Sequence, residues 1–174
     1  MAPAKGSWSV NSAIGVAQQA LDWIFKLVGT ALKLAAFALA FSAIVPVWET
    51  LHAADLSHGK LPQAIAGPVA QIIWAVILWI KGSFFCQKAR VALLLDIAGR
   101  VVTSGGFIFT GITLTNVAHI AVGLWDRSIT NDVIQQVTQH VGVEIATYGL
   151  TSFILLKLGF VMITKASLGQ LRLI

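Results

Sequence analysis

The residues best placed to do chemistry lie in the stretch 104–125, the most polar of four long apolar stretches in this sequence. As a helix, this stretch would carry small and polar residues at spacings of three and four, and therefore on one face. Small residues let helices approach closely in lipid, and amides or imidazoles hydrogen-bond between helices there. The pattern predicts a helix-packing or polar intramembrane face made of Gly105, Thr115, Asn116, His119 and Gly123.

Two other interpretations of this face stay open. Its polar groups could line a path for protons or ions, or His119 could ligate a haem or a chlorophyll. A haem held by two histidines would need a second histidine at membrane depth, but His52, His58 and His140 fall in the predicted outer loops. We therefore prefer helix packing and expect no cofactor.

A second set of candidate residues recurs every three positions after the first apolar stretch: Glu49, His52, Asp55 and His58. Carboxylates and imidazoles bind zinc and similar metals. On a helix, however, residues three apart drift around the surface, so four of them would not converge on one ion. We expect a solvated loop and no bound metal.

The sequence lacks the short motifs that mark common active sites. It contains no Walker A sequence, no H-E-x-x-H and no G-x-S-x-G, and its apolar stretches hold no pair of carboxylates. We therefore expect no enzymatic activity and no catalytic residues.

Membrane-spanning helices are the elements that would position the polar face. The chain has 174 residues, of which 57% are hydrophobic and only 11% are charged, whereas soluble domains carry about 25% charged residues. A helix of about 20 apolar residues crosses a bilayer. Four spans are predicted, at 27–47, 64–80, 104–125 and 145–164.

Two amphipathic stretches, 11–26 and 85–102, precede spans one and three. Each carries an acid four residues before a base, which is the favourable order on a helix: Asp22 with Lys26, and Asp96 with Arg100. Such helices lie in the membrane interface, so these residues are predicted to form interfacial ion pairs. The fold class is therefore an all-α integral membrane protein with four transmembrane helices and amphipathic helices before spans one and three.

The whole chain is predicted to form one membrane domain. It would comprise an N-terminal segment with an amphipathic helix (1–26), spans one and two (27–80), a cytoplasmic amphipathic segment (81–103), spans three and four (104–164), and a cytoplasmic tail (165–174).

The distribution of basic residues predicts how the chain is threaded. Lysine and arginine favour cytoplasmic flanks of transmembrane helices. Only two lie in the two predicted outer loops, and the other ten lie at the opposite ends of the spans or beyond them: Lys5, Lys26, Lys33, Lys81, Lys88, Arg90, Arg100, Lys157, Lys165 and Arg172. Both termini should be cytoplasmic.

The simple charge asymmetry and the lack of an N-x-S/T sequon favour a bacterial inner membrane. The net charge of +5 follows the predicted membrane boundary. We expect it to meet anionic lipid headgroups and not nucleic acid.

The order of features predicts a tandem duplication of a two-span unit. Both copies would cross the membrane in the same direction. Chance similarity between helices rich in leucine, valine and isoleucine is the alternative. The matches are Leu21-Asp22-xxx-Lys26 with Leu95-Asp96-xxx-Arg100, 74 residues on, and Trp48-Glu49 and Ile77-Leu78 with Trp125-Asp126 and Ile154-Leu155, 77 residues on.

These features together predict a non-enzymatic integral subunit of a larger membrane assembly. Its structural or assembly role would be of the kind needed in secretion or conjugation machines or in energy-transducing complexes. The expected partners are the lipid bilayer and other membrane-protein subunits or copies of the chain itself. The alternatives are a small homo-oligomeric channel or transporter and an accessory subunit that binds haem or chlorophyll through His119.

Overall fold

The computed structural model describes residues 10–52, 61–88, 92–125 and 131–168, and its regular secondary structure there is entirely α-helical. The helices are α1 (Val10–His52), α2 (Leu61–Phe85), α3 (Leu93–Trp125) and α4 (Asn131–Ser167). Each contains a segment long and apolar enough to cross a membrane: Ala13–Glu49, Ile65–Phe85, Leu93–Val122 and Val141–Ser167. The predicted all-α class with four membrane-spanning candidates is confirmed.

The amphipathic stretches are not separate helices in the described residues. α1 runs without interruption from Val10 through 11–26 into the first span, because no proline precedes Pro46 in the helix. The stretch 85–102 is divided between two helices, since α2 ends at Phe85 and α3 begins at Leu93. The location of these stretches in the membrane interface stays a prediction.

The helices pack as two hairpins, α1 on α2 and α3 on α4, and a smaller contact of α2 on α3 joins the hairpins. A glycine pair marks a close approach of the backbones in each hairpin. A Cβ atom on Gly29 would lie 2.6 Å from the carbonyl oxygen of Gly82, and one on Gly99 would lie 3.0 Å from that of Gly159. The lack of side chains at these positions therefore brings the backbones together.

The outer helices of this arrangement, α1 and α4, keep large apolar side chains exposed. Examples are Phe37 and Phe41 on α1, and Phe153 and Leu158 on α4. The buried apolar positions include many alanines, such as Ala36, Ala43, Ala75 and Ala166. Small side chains therefore lie between the helices, while large apolar side chains face outward.

Candidate functional site

The most deeply buried polar pair lies near the start of α3. Asp96 and Arg100 are 0% and 1% exposed, and Arg100 Nε donates to Asp96 Oδ2 at 3.2 Å. The spacing of four residues places them one helical turn apart. The ion pair is therefore present and enclosed by the described helices, and its position relative to the membrane interface stays a prediction.

Arg100 also caps the C-terminal end of α2 by donating hydrogen bonds to backbone carbonyls there. Its Nη1 donates to the carbonyl oxygens of Phe84 and Phe85 at 3.0 and 3.4 Å, and its Nη2 donates to those of Gln87 and Lys88 at 3.3 and 3.2 Å. Carbonyls at a helix end lack the following helical amides that would bond them. A guanidinium supplies several donors in a fixed fork, and its positive charge is favourable at this end of a helix.

Aromatic rings from two other helices enclose the guanidinium. Arg100 Cζ lies 4.4 Å from the ring centroid of Phe25 on α1 and 5.5 Å from that of Phe84 on α2. Both distances lie within the range of cation–π attraction. The ring of Phe25 meets that of Phe85 edge-on, with centroids 6.0 Å apart. Asp96, Arg100, Phe25, Phe84 and Phe85, hereafter the Arg100 cluster, thus join three helices.

The chemistry of the Arg100 cluster is that of a helix junction. Its carboxylate is held by the guanidinium, and the guanidinium donates to the carboxylate and to backbone carbonyls at the end of α2. The described part of the chain brings no three His, Cys, Asp or Glu side chains together as metal ligands. Of the loop set proposed from sequence, Glu49 is exposed, and Asp55 and His58 lie outside the described residues.

A second polar contact joins α3 to α4. Ser152, which is 6% exposed, donates to the carbonyl oxygen of Gly106 at 3.0 Å, and its hydroxyl lies 2.6 Å from that of Thr110. Thr110 in turn lies 2.9 Å from the same carbonyl oxygen. Hydroxyls that bond within and between helices in this way satisfy their polar groups without water.

The chain covers the predicted polar face of α3 only in part. Gly105 is half-buried, with Leu155 Cδ1 3.4 Å from where its Cβ would be. The Thr115 hydroxyl is buried and has no hydrogen-bond partner among the described residues. Asn116 is half-buried, His119 is exposed, and Gly123 lies in the last turn of α3. The role of the five residues as one helix-packing face stays a prediction.

The contact of α3 with α4 passes through a neighbouring face, made of Gly99, Thr103, Gly106 and Thr110. A Cβ atom on Gly159 would lie 2.5 Å from Thr103 Cγ2, and one on Gly106 would lie 2.7 Å from a carbon of Leu156. These small residues recur at spacings of four, three and four, so the signal for this face is present in the sequence. The adjacent glycines 105 and 106 make the two faces hard to distinguish by pattern alone.

The other predicted ion pair belongs to α1. Asp22 is half-buried and Lys26 is exposed. Their mutual ion pair stays a prediction. A shallow groove of about 410 Å³ begins beside them on the exposed face of α1, lined by Trp23, Lys26, Leu27, Thr30, Ala31 and Leu34.

Comparison with protein-family models, with curated proteins and with solved structures gives no match to this chain. Its own residues and contacts must therefore carry any functional conclusion.

Proposed function

We propose that the chain is a non-enzymatic integral subunit of a larger membrane assembly. The observation that supports this proposal is the exposed His119, which lies within the segment Leu93–Val122 of α3. An imidazole that faces hydrocarbon has lost water and gained no hydrogen bond, which costs on the order of several kcal/mol. A polar group on a neighbouring subunit would remove this cost.

The enclosed polar contacts fit the same role. In the Arg100 cluster and in the Ser152–Thr110 contact, the polar groups form hydrogen bonds between helices. The exposed apolar faces of α1 and α4 provide surface for lipid and for further subunits. Secretion or conjugation machines and energy-transducing complexes use such subunits, and a bacterial inner membrane with both termini in the cytoplasm suits the distribution of basic residues.

We also infer that the two hairpins are copies of one unit. A Cβ atom on Gly29 would meet the Gly82 carbonyl and the Sγ and N atoms of Cys86. One on Gly99 would meet the same kinds of atoms: a glycine carbonyl, a side chain and an amide nitrogen. The correspondence pairs Gly29, Gly82 and Cys86 with Gly99, Gly159 and Ile163.

The correspondence holds along both helices of each hairpin. Residues of α2 correspond to those of α4 lying 77 positions later, as the sequence matches predict, and residues of α1 to those of α3 lying 70 positions later. Ala40 and Ala75 line one space between α1 and α2, and their counterparts Thr110 and Ser152 are in contact. At an offset of 70, the counterpart of Arg100 on α1 is Thr30. The basic residue of the α1 pair, Lys26, lies four residues, or one turn, before Thr30.

The topology proposal predicts which loops an external reagent reaches. In a Cys86→Ser background, single cysteines at Ser57 and Ser128 should react with a membrane-impermeant maleimide added to intact cells, because their loops are poor in basic residues. Cysteines at Ser83 and Ser167 should react only after the cells are opened. Labelling of the second pair in intact cells would reverse the proposed orientation.

The assembly proposal predicts a modest effect of the outward polar residues. Asn116→Ala or His119→Ala should each weaken association by about 0.6–2 kcal/mol, the value of one hydrogen bond between helices in lipid. Mild-detergent extraction followed by native mass measurement would report how much of the chain is assembled. The assembly should have a mass greater than the 18.5 kDa of one chain. The double variant should be weaker than either single variant.

The alternatives would behave differently in these variants. A channel or transporter would lose flux with its assembly intact, and a haem- or chlorophyll-binding subunit would lose an absorbance band on His119→Ala. A wild-type chain that is monomeric in native membranes would contradict the assembly proposal.

A further inference from the structure

We propose that one neighbour in the assembly is a second copy of this chain, bound head to tail. α1 of one copy would pack on α4 of the next as α3 packs on α2 within the chain. This inference rests on the proposed function and on the correspondence between hairpins. If α1 corresponds to α3 and α2 to α4, the contact between α2 and α3 has a counterpart, α1 on α4, that is not among the main helix contacts of the described residues.

The face of α1 that this contact needs is exposed. On α3, Asp96, Arg100 and Gly111 are buried, and Arg100 and Gly111 contact α2 directly. Their counterparts on α1, 70 positions earlier, are Lys26, Thr30 and Phe41, all of which are exposed. Phe41 on α1 is 63% exposed, whereas its counterpart Gly111 on α3 is buried. The same side of the helix is therefore covered in one hairpin and uncovered in the other.

The shapes of the two contacts are complementary. Within the chain, the ring of Trp74 on α2 fills the space above Gly111, where a Cβ atom would lie 2.7 Å from the ring. Between copies, the counterparts of Gly111 and Trp74 are Phe41 and Thr151. Within the chain the large residue is on α2 and the small one on α3. Between copies the large residue, Phe41, is on α1 and the smaller one, Thr151, is on α4, so Phe41 can fill the space between these helices.

The charge of Lys26 on α1 lies at the level where α4 of the neighbouring copy would end. Counting 77 positions from Phe85, where α2 ends, gives Met162, but α4 continues for five more residues to Ser167. The end of α4 therefore lies more than one turn nearer the cytoplasm. Lys26 precedes Thr30, the counterpart of Arg100, by four residues and is displaced by one turn in the same direction. Its ammonium would thus meet the last carbonyls of α4 of the neighbouring copy, as Arg100 meets those of α2.

The sequence matches and the helix contacts give different offsets for the first helix of each hairpin. The sequence matches align Lys26 with Arg100 at 74 positions and Trp48 with Trp125 at 77, whereas the helix contacts align Gly29 with Gly99 at 70. The offset of 74 follows if Lys26 is placed by the end of its partner helix, one turn from the counterpart of Arg100, while the offset of 77 has no structural explanation.

The groove on α1 lies where the neighbouring α4 would end. Its volume is about 410 Å³, and it includes Lys26, Thr30 and Leu34. The α3 counterparts of these residues, Asp96, Arg100 and Ser104, are buried or half-buried. Copies repeated in this way follow one rotation about the membrane normal, and they form a ring if that rotation closes.

Cysteine cross-linking between copies tests the proposal. A disulfide needs Cα atoms within about 7 Å, whereas these helix contacts are made through the ends of long side chains, so the reagent is a bifunctional maleimide. Phe41→Cys with Thr151→Cys, in a Cys86→Ser background, should give a ladder of linked oligomers when native membranes are treated with this reagent. The control pairs Phe41→Cys with Phe153→Cys and should give no ladder, because Val76, the counterpart of Phe153, is exposed. Chains carrying only Phe41→Cys, coexpressed with chains carrying only Thr151→Cys, should form a linked dimer and nothing larger.

A second pair keeps the test independent of one site. Thr30→Cys with Val161→Cys replaces the counterparts of Arg100 and Phe84, whose Nη1 and carbonyl oxygen lie 3.0 Å apart, and should give the same ladder. Lys26→Glu should reduce linkage several-fold, because a carboxylate is unfavourable beside helix-terminal carbonyls. Lys157→Glu should not, because its counterpart Ile80 stays exposed.

The outcomes separate this inference from the proposed function. If neither cysteine pair links copies while native mass measurement finds foreign chains bound, the second copy is excluded and the subunit proposal survives. If neither pair links and the chain is monomeric, both proposals fail. Equal linkage of the Phe153→Cys control would exclude the proposed register.

Discussion

Arg100→Met should be among the most destabilising single substitutions in this chain. It would leave the Asp96 carboxylate at 0% exposure without its guanidinium. It would also remove two hydrogen bonds to carbonyls in the last turn of α2 and two to carbonyls just beyond it. Breaking a buried ion pair by removing one partner costs about 3–5 kcal/mol. Equilibrium unfolding in detergent micelles, followed by circular dichroism or tryptophan fluorescence, should detect a loss of this size.

The matched control is Lys157→Met, which removes one basic side chain from an exposed position on α4. It should change the free energy of unfolding by no more than about 0.5 kcal/mol, as surface substitutions usually do. The double variant Asp96→Asn with Arg100→Met should lose less free energy of unfolding than the two single variants lose together, because it leaves no uncompensated buried charge. An Arg100→Met effect as small as that of Lys157→Met would contradict the structural role of the cluster.

The sequence predicts the pairing of Asp96 with Arg100 but not its surroundings. Their spacing of four residues determines that they meet on a helix. The usual rule that charged groups of an amphipathic helix face water then places them at the membrane surface, whereas both are buried. The deciding partners, the carbonyl oxygens of Phe84 and Phe85, are backbone atoms whose availability depends on where α2 ends. No pattern within 85–102 carries that information.

The number and class of the helices could be predicted because length and apolarity determine membrane spans. The side of each helix that meets another helix is harder to predict, since lipid-facing and protein-facing positions are both apolar in a membrane. On α3, Leu155 of α4 lies close to Gly105 and Leu156 of α4 lies close to the adjacent Gly106, so the pattern of small residues does not identify one contact face. On α1, Gly29 shares a spacing of seven with Ala36 and Ala43, and all three are buried. Six alanines lie in 31–43, however, so this spacing does not single out the contact face from the sequence.

Gly29→Ala should have the second large effect, because the backbone of α2 is close to that position. The new Cβ would lie 2.6 Å from both the Gly82 carbonyl oxygen and the Cys86 Sγ atom, and 3.0 Å from the Cys86 amide nitrogen. Two of these three atoms belong to the backbone, so a rotamer change cannot relieve the overlap and the helices must separate. Overpacking of this kind costs about 1–3 kcal/mol, measured by the same unfolding experiment.

Gly15→Ala on the same helix is the matched control, since a Cβ atom there would meet nothing within 4 Å. It should be neutral or stabilising by about 0.5–1 kcal/mol, because alanine favours the helix more than glycine does. Gly99→Ala, the counterpart of Gly29→Ala, would place its Cβ 2.6 Å from Ile163 Cγ1 and 3.0 Å from the Gly159 carbonyl oxygen. A side-chain atom can move aside more easily than a backbone atom, so its cost should fall between those of Gly15→Ala and Gly29→Ala. A Gly29→Ala chain as stable as the Gly15→Ala chain would show that the hairpin does not depend on this close crossing.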